Sequence, residues 1–340
     1  MEQTDILTAE FGTESSEAAE VAENNAPQPE KDKKKKITKR KISEYVFCYG
    51  MLLLPLIQFA IFYVWINSNS IFMAFQEFDG YSDNGGELFK WSLYNFERFF
   101  SEWSNPSSMV ISALKNTMRY FAAGICMIPV SFIVAYFLYK KIWGYKFFRV
   151  VFFLPSIISA VLFVTVYKEL IEYGGPLDMF LSLFGVRVPP LLTDDATATG
   201  TIIAYTIWTG LGVNMILYQS AMSRVPKEVM EAAALDGVPW YKELTQIILP
   251  MVWPTLSTTL ILLFTSIFNS TGPILLFAGA GVEVDNPATM TLSFWIYRQT
   301  QKGVDLNYPA AVGIFFTLVS VPIVFITRWL LNKLDPKVTY

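Results

Sequence analysis

Six stretches of the chain contain no charged residue and are long enough to form membrane-spanning helices. They cover residues 45–76, 120–139, 150–167, 196–223, 244–282 and 306–327. An α-helix needs about 20 predominantly apolar residues to cross the hydrocarbon core of a bilayer. We therefore predict an all-α integral membrane protein with six transmembrane helices.

The limits of two of these spans depend on residues beyond the apolar pattern. In the window 244–282, Pro250 and Pro254 interrupt the first turns, because proline lacks a backbone N–H and clashes with the preceding turn. We therefore place the fifth span at about 255–279. The second helix is expected to begin before its window, near Ser108.

The distribution of Lys and Arg predicts the orientation of the six spans. If the spans alternate across the membrane, 18 of the 26 basic residues fall on the side of the N-terminus. Cytoplasmic loops of membrane proteins carry an excess of Lys and Arg. We therefore predict a multi-pass protein with both termini in the cytoplasm.

The chain before the first span changes abruptly in charge. Residues 1–30 hold eight acids, no base and few large apolar residues, which predicts a disordered acidic cytoplasmic tail. Residues 31–41 hold eight bases. A nucleic-acid patch is one interpretation of such a run, but its position next to a span favours a basic juxtamembrane segment, residues 31–44, near anionic lipid. The membrane domain is predicted to cover residues 45–335.

The composition excludes several classes of function. Hydrophobic residues make up 53% of the chain and charged residues only 16%, against about 25% in an average globular domain. The chain has no histidine, which excludes His-based triads and HExxH zinc sites. Its two cysteines lie in apolar runs, and no GxxxxGK[ST] phosphate loop is present. We expect no catalytic residue, no metal site and no cofactor in this chain.

The loop after the fourth span, residues 223–250, carries a helix–turn–helix pattern. A helix is expected to begin after Pro226, because proline suits the first helical turn. Gly237 is expected to end that helix in a left-handed conformation. Pro239 then begins a second short helix, which Pro250 is expected to end. The loop is thus predicted to form a compact two-helix projection on the cytoplasmic face.

This loop resembles the EAA loop of permeases in binding-protein-dependent ABC importers. The family pattern is Glu-Ala-Ala, three residues, Gly, nine residues and Ile-x-Leu-Pro. Its seven positions are Glu231, Ala232, Ala233, Gly237, Ile247, Leu249 and Pro250. At average amino-acid usage such a match arises by chance with a probability of about 10⁻⁶ in a chain of this length. An ordinary amphipathic interfacial loop is the alternative interpretation.

Weaker matches point to the carbohydrate-type permeases. They are the outer segment 91–100, Asn116-Thr117, Leu154-Pro155, Trp208 and the segment 308–313. The C-terminus lacks the Gly-Ala-Val-Lys-Gly ending of the second permease in such pairs. The chain is therefore similar to the first permease of the maltose or glycerol-phosphate importers, which implies a type I ABC importer architecture.

The resemblance implies a set of partners in a prokaryotic plasma membrane. A second related permease completes a heterodimer, two ATPase subunits bind ATP and Mg, and an extracytoplasmic binding protein delivers a sugar. Lipid is the remaining partner, and nucleic acid is not expected. The implied ATPase-coupling residues are Glu231, Ala232, Ala233, Asp236, Gly237, Ile247, Leu249 and Pro250.

Polar and aromatic residues inside spans four and five are candidates for the substrate path. Sugars are bound by aromatic faces together with amide and hydroxyl groups. The candidates are Trp208, Asn214, Tyr218, Asn269, Ser270 and Thr271. Helix–helix hydrogen bonds are the alternative role for each of them. Gly272-Pro273 either breaks span five at a cavity or only kinks it. The family's usual acidic residue is replaced in 268–273, so no substrate contact is carried over.

Two other classes of function compete with an ATP-driven importer. An ion-coupled secondary transporter of a small polar solute usually carries ionisable groups inside its spans. Here the trimmed spans hold none except Lys115 and Arg119, near the outer end of span two. A membrane-embedded enzyme needs a buried acid, base, nucleophile or metal cluster, and the absence of histidine makes this class less favoured.

The orientation can be tested by labelling single cysteines in intact cells. We expect Ser16→Cys and Lys337→Cys to resist an impermeant thiol reagent and Gly85→Cys to react, as the Lys and Arg distribution requires. Labelling at residue 16 would contradict the assignment.

Overall fold

A computed structural model describes residues 39–82, 85, 87–187, 189–278, 283 and 285–336, with side chains from residue 44 onward. The helices are α1 Lys39–Phe59, α2 Ile66–Ala74, α3 Tyr94–Trp103, α4 Met109–Tyr139, α5 Tyr145–Ile157, α6 Ala160–Ile171, α7 Pro176–Ser182, α8 Asp195–Met222, α9 Lys227–Leu235, α10 Trp240–Lys242, α11 Leu249–Thr265, α12 Ile274–Phe277, α13 Leu292–Lys302 and α14 Asn307–Lys333. Two π-helical segments, Ala60–Trp65 and Glu243–Ile248, and two strands, β1 Gln76–Tyr81 and β2 Glu87–Trp91, complete the elements. The predicted tail 1–30 and most of the basic segment 31–44 lie outside the described residues.

The structure divides into two units, the first ending at Trp65 and the second beginning at Ile66. In the first unit, α1 contains Pro55 and continues into the π-helical segment. Phe59 and Tyr63, four residues apart, stack with their ring centroids separated by 5.0 Å. All other elements belong to the second unit.

Five described helical stretches are long and apolar enough to cross a membrane, and a bent pair of helices makes a sixth if it counts as one span. The five are Glu44–Ala74, Met109–Tyr139, Asp195–Met222, Trp240–Thr265 and Asn307–Lys333. The predicted start of the second helix is confirmed, because Ser108 is its extended N-cap residue. The all-α membrane architecture is likewise confirmed, with one small β-hairpin added.

The third predicted span, 150–167, is not one straight helix. The helix α5 and the helical stretch Ala160–Ser182 that follows it are bent by 114° relative to each other. Ile158 and Ser159 both have extended backbones, and the carbonyl of Ser159 accepts the first hydrogen bond of α6 from the Phe163 N–H at 2.9 Å. An apolar window reports composition and not backbone angles, so it could not reveal this bend.

The prediction for the fifth span was wrong at both ends. Pro250 does not end the second loop helix, because a continuous helical stretch runs from Trp240 to Thr265. The π-helical segment Glu243–Ile248 lies directly before the proline. In a π-helix the backbone bonds connect residues five apart, so the turn before Pro250 is wider than an α-helical turn, and the ring and its missing N–H are accommodated. At the other end the helix stops at Thr265 and does not continue to 279.

A β-hairpin precedes α3. Strands β1 and β2 pair antiparallel, with an irregularity between Phe78 and Gly80. The buried Asn95 of α3 joins this hairpin to α2, because its amide donates to the carbonyls of Ala74 at 3.2 Å and Gln76 at 2.8 Å. Asn95 lies within 91–100, one of the regions marked by the family resemblance.

The second unit holds two separate apolar clusters. The N-terminal cluster, near the N-terminal end of α4, consists of Phe99, Val110, Ala113, Phe163, Val164, Ile171, Leu192, Ile202, Tyr205, Ile274, Phe277, Met290, Leu292, Phe294, Trp295, Tyr308, Val312 and Phe316. The loop-side cluster, near its C-terminal end, consists of Ile128, Phe132, Ala135, Tyr136, Leu138, Met215, Tyr218, Met222, Val225, Leu244, Ile248, Val252 and Leu256. Helices α4 and α8 contribute to both clusters.

The helices α5 and α8 approach each other at backbone distance. A Cβ atom added to Gly212 of α8 would overlap the carbonyl of Phe152 and lie 3.1 Å from the Cα of Phe153. Small residues allow such close packing between membrane helices. At Gly200 of the same helix an added Cβ meets nothing within 4 Å.

We predict that Gly212→Ala lowers the stability of the folded protein by about 1–3 kcal/mol, because the added methyl group must push backbone away from backbone. The melting temperature of the purified protein in detergent measures this loss. Gly200→Ala is the matched control and should melt at or slightly above the wild-type temperature, since alanine favours helix. Equal melting temperatures for the two variants would contradict this packing.

Candidate functional site

The helix α9 of the coupling loop, residues 223–250, ends in a glycine turn of well-defined geometry. Gly237 has a φ of 66°, in the left-handed region. Its N–H donates to the carbonyl of Ala234 at 3.2 Å, and the Val238 N–H donates to the carbonyl of Ala233 at 3.1 Å. These two bonds form the Schellman motif, which satisfies carbonyls that a helix end would leave unpaired. Asp236 is the exposed C-cap residue.

The two faces of α9 differ in their environment. Ala233 is buried, and Met230 packs against the loop-side cluster. Glu231 and Ala232 are exposed, and Glu231 has no ion-pair partner among the residues that the structure describes. One face of α9 therefore holds the helix on the membrane domain, and the other is free for a partner.

The second arm of the loop is firmly packed. Leu244 and Ile248 are buried in the loop-side cluster, and Leu249 packs against it. Ile247 and Pro250 are partly buried. The coupling-loop residues predicted from the sequence thus lie on two connected helical arms around one turn, with Gly237 between them.

Leu235 is a surface residue that the sequence analysis did not single out. Its side chain is 89% exposed, which is unusual for a leucine. It follows Glu231 by four residues, so the two share a face of α9. The four-residue spacing from Glu231 is the sequence feature that could have identified Leu235. It places an exposed apolar side chain next to an acidic one on α9.

The Asn116-Thr117 pair has a clear structural role near the N-terminal end of α4. The Asn116 amide donates to the carbonyls of Pro287 at 2.8 Å and Met290 at 3.1 Å. The Thr117 hydroxyl accepts a hydrogen bond from the Leu292 N–H at 2.9 Å. Both residues are buried, so they hold the start of α13 and the chain before it against α4.

An ion cluster also holds the chain before α13, through Asp285. The Arg298 guanidinium donates a hydrogen bond to Asp285 at 3.1 Å, and the Lys302 ammonium lies 3.1 Å from the same carboxylate. Together they lower the pKa of Asp285 below its ordinary value, with the Arg298 bond as the larger cause. The carboxylate therefore stays ionised and keeps residues 285–290 close to α13.

Each substrate-path candidate of α8 already has a contact within the protein. Tyr218 is fully buried, and its hydroxyl lies 2.9 Å from the Thr259 hydroxyl of α11. Asn214 donates to the carbonyl of Gly210 on its own helix at 3.2 Å. Trp208 is partly buried, with its ring 5.1 Å from that of Phe163. In this conformation Tyr218 makes the helix–helix hydrogen bond that was the alternative interpretation, whereas the Asn214 bond lies within α8.

The candidates of the fifth span lie in a true helix break. Between Thr265 and Ile274 the chain leaves the helix, and Gly272 has a φ of 58°. Asn269 and Ser270 are exposed and Thr271 is partly buried. Helical structure is broken here over several residues, which is more than a proline kink. A role in substrate contact stays a prediction for all six residues.

Comparison with known proteins identifies the family to which this loop and these broken helices belong. Residues 127–340 match the family described as "binding-protein-dependent transport system inner membrane component". The chain belongs to this family. The match contains the whole coupling loop, so the family resemblance drawn from the Glu-Ala-Ala pattern is confirmed.

The permease is similar to several characterised relatives along most of its length. The lactose transport system permease LacF of Rhizobium radiobacter is 29% identical over 236 residues, covering 66% of this chain and 76% of the relative. The multiple sugar-binding transport system permease MsmF of Streptococcus mutans is 25% identical, covering 87% of this chain and 99% of the relative. The sn-glycerol-3-phosphate transport system permease UgpA of Escherichia coli O157:H7 is 25% identical, and the match covers 86% of this chain and 95% of the relative.

Solved structures share the fold. A chain of a bacterial ABC transporter that imports the acidic polysaccharide alginate superimposes with a TM-score of 0.72 at 22% identity, covering 86% of this chain and 98% of that one. A chain of a bacterial alginate ABC transporter in complex with an alginate pentasaccharide-bound periplasmic protein also superimposes with a TM-score of 0.72. This match covers 89% of this chain and 100% of that one. The architecture is therefore that of a type I importer permease.

We predict that Gly237→Val and Glu231→Ala leave membrane insertion intact and impair coupling to the ATPases. A β-branched residue in the left-handed region costs about 1–2 kcal/mol and disturbs the turn that sets the direction of α9. The Glu231 change removes a charge from the exposed face. ATP hydrolysis, sugar uptake and recovery of the complex, measured in reconstituted vesicles, check both variants.

Two matched controls accompany this prediction. Gly237→Asn should stay close to wild type, because asparagine tolerates the left-handed conformation and no atom lies within 4 Å of its added Cβ. Glu228→Ala removes an exposed charge one turn earlier in α9 and tests whether any loss of charge is harmful. Wild-type uptake and coupling in the Gly237→Val protein would contradict the proposed role of the turn.

Proposed function

We propose that this chain is one permease subunit of an ATP-driven importer that translocates a carbohydrate delivered by an extracytoplasmic binding protein. A second related permease pairs with it, and two separate ATPase subunits bind ATP and Mg on the cytoplasmic side. Both of its termini lie in the cytoplasm, in accordance with the excess of Lys and Arg on that side. The chain itself carries no enzyme activity.

The observation that carries this proposal is the geometry of the coupling loop. The free face of α9 presents Glu231 and the 89% exposed Leu235, and the opposite face is packed on the membrane domain. An exposed apolar side chain beside an unpaired charge is the composition of a small docking surface. The Schellman turn and the buried second arm keep this surface in a fixed position.

The substrate class rests on the relatives. Their names specify lactose, multiple sugars, galactooligosaccharides, arabinooligosaccharides and glycerol-3-phosphate. The relatives thus transport sugars or a polyol phosphate, and the common chemistry is a small polyhydroxylated solute. We propose a sugar or oligosaccharide as the solute for this permease.

An ion-coupled secondary transporter remains the competing function. Such proteins place carboxylates or bases along the solute path inside the membrane. In the five described spans, Asp, Glu, Lys and Arg occur only in the first or last three turns. This distribution favours coupling through a docked ATPase.

Co-purification followed by transport assays tests the proposal. The full chain is produced with the ATPase, second permease and binding protein of its own transport system, and a tag on this chain is used for purification. We expect the ATPase and the second permease to be recovered, and vesicles containing the complex to take up a labelled sugar when ATP is inside and the loaded binding protein is outside. The panel of labelled solutes covers lactose, galacto- and arabinooligosaccharides and glycerol-3-phosphate.

The controls separate the two classes of transporter. Uptake should stop when ATP is replaced by a non-hydrolysable analogue or when the binding protein is omitted. Uptake that needs neither of them, but follows an imposed proton or sodium gradient, would establish the competing function.

A further inference from the structure

An ion pair between an exposed ammonium and a buried carboxylate lies where the second arm of the coupling loop meets the C-terminal end of α4. The Lys140 ammonium is 2.7 Å from Oε1 and 2.9 Å from Oε2 of Glu243. The Glu243 side chain is only 8% exposed and that of Lys140 is 38% exposed. Lys140 is the C-cap residue of α4, and Glu243 is the first residue of the π-helical segment that follows α10.

The surroundings of this carboxylate explain why it needs that partner. Leu244, the next residue, lies in the loop-side cluster. Trp240, three residues before Glu243, has its ring centroid 5.5 Å from that of Phe137 in α4. Among the described residues, no Lys or Arg other than Lys140 forms an ion pair with Glu243. A buried carboxylate that loses its partner is strongly unfavourable, so the pair fixes one relative position of the two helices.

The position of the pair in the chain suggests its use. Gly237 connects α9 to α10, and α10 continues through the π-helical segment into α11. A displacement of α9 therefore reaches α11 through the backbone, but it reaches α4 only through side-chain contacts. Glu243 and Lys140, 103 residues apart, supply the charged contact of this set. π-Helical turns also occur frequently at functional positions of helices.

We propose that Lys140 and Glu243 are positioning residues that make the coupling loop and α4 move as one body when the ATPases close. In this role the pair acts on the helices and needs no contact with the ATPase or the solute. It determines whether movement of the docked helix becomes movement of the membrane helices. This inference rests on the proposed function and names side chains outside the Glu-Ala-Ala pattern.

Charge removal and charge exchange test the inference in the full reconstituted transporter. Lys140→Met removes the ammonium and keeps an apolar stem, and Glu243→Gln removes the charge and keeps the shape. We expect both variants to retain the ATPases on purification, but to transport at least about fivefold less sugar per ATP hydrolysed, the lower end of typical coupling energies. The exchanged variant, Lys140→Glu with Glu243→Lys, should recover most of the wild-type ratio.

Lys141→Met is the matched control. Lys141 is the next residue, is exposed, and has no carboxylate within 4 Å among the described residues. We expect its ratio of transport to hydrolysis to equal that of the wild type. If Lys140→Met also shows the wild-type ratio, the inference is overturned.

Two further outcomes separate the possible failures. If the single variants do not accumulate, the exchanged variant decides the question. Coupled transport by the exchanged variant supports the inference. An exchanged variant that folds without coupled transport, or that does not fold, overturns the inference. If the wild-type complex itself contains no ATPase or shows no ATP-driven uptake, the proposed function fails. If the wild-type complex couples ATP hydrolysis to uptake and the variants behave like it, the inference about the ion pair is overturned and the proposed function stands.

Discussion

The requirement that backbone polar groups be satisfied without water governs this permease. Within a bilayer only helices meet the requirement by themselves, and irregular backbone is tolerated where protein or a cavity covers it. The break after Thr265 illustrates this. The Ser293 hydroxyl donates to the carbonyl of Asn269 at 3.3 Å, and a side chain from the same stretch, Thr291, approaches the carbonyl of Thr271 at 3.5 Å. The chain around the start of α13 is therefore part of what makes the break possible.

Helix α8 links the N-terminal cluster to the coupling loop. Its N-terminal half supplies Tyr205 to the N-terminal cluster, and its C-terminal half supplies Met215 and Tyr218 to the loop-side cluster. Its glycine at 212 lets α5 come within backbone distance. Since α8 ends at Met222 and α9 begins at Lys227, the coupling loop starts directly from a helix that packs into both clusters.

The coupling loop combines local and long-range stabilisation. The turn at Gly237 is defined by its own backbone bonds, whereas the arms are held by Ala233, Leu244 and Ile248, which are buried against other helices. A loop fixed in both ways transmits displacement without deforming. Its outward face can therefore remain exposed without the loop losing its structure.

The sequence by itself determined the features that depend on local chemistry. Apolar length predicted a membrane protein with several spans, the left-handed preference of glycine located the turn at Gly237, and the Glu-Ala-Ala spacing identified the family. The bend at Ile158, the helix that continues past Pro250 and the pairing of Lys140 with Glu243 could not be read in the same way. Each of these features depends on which distant segment of the chain packs against the residues concerned. The pattern of apolar and charged residues along the sequence does not specify that segment. Tertiary packing alone decides whether a proline ends a helix and whether a buried charged side chain forms an ion pair.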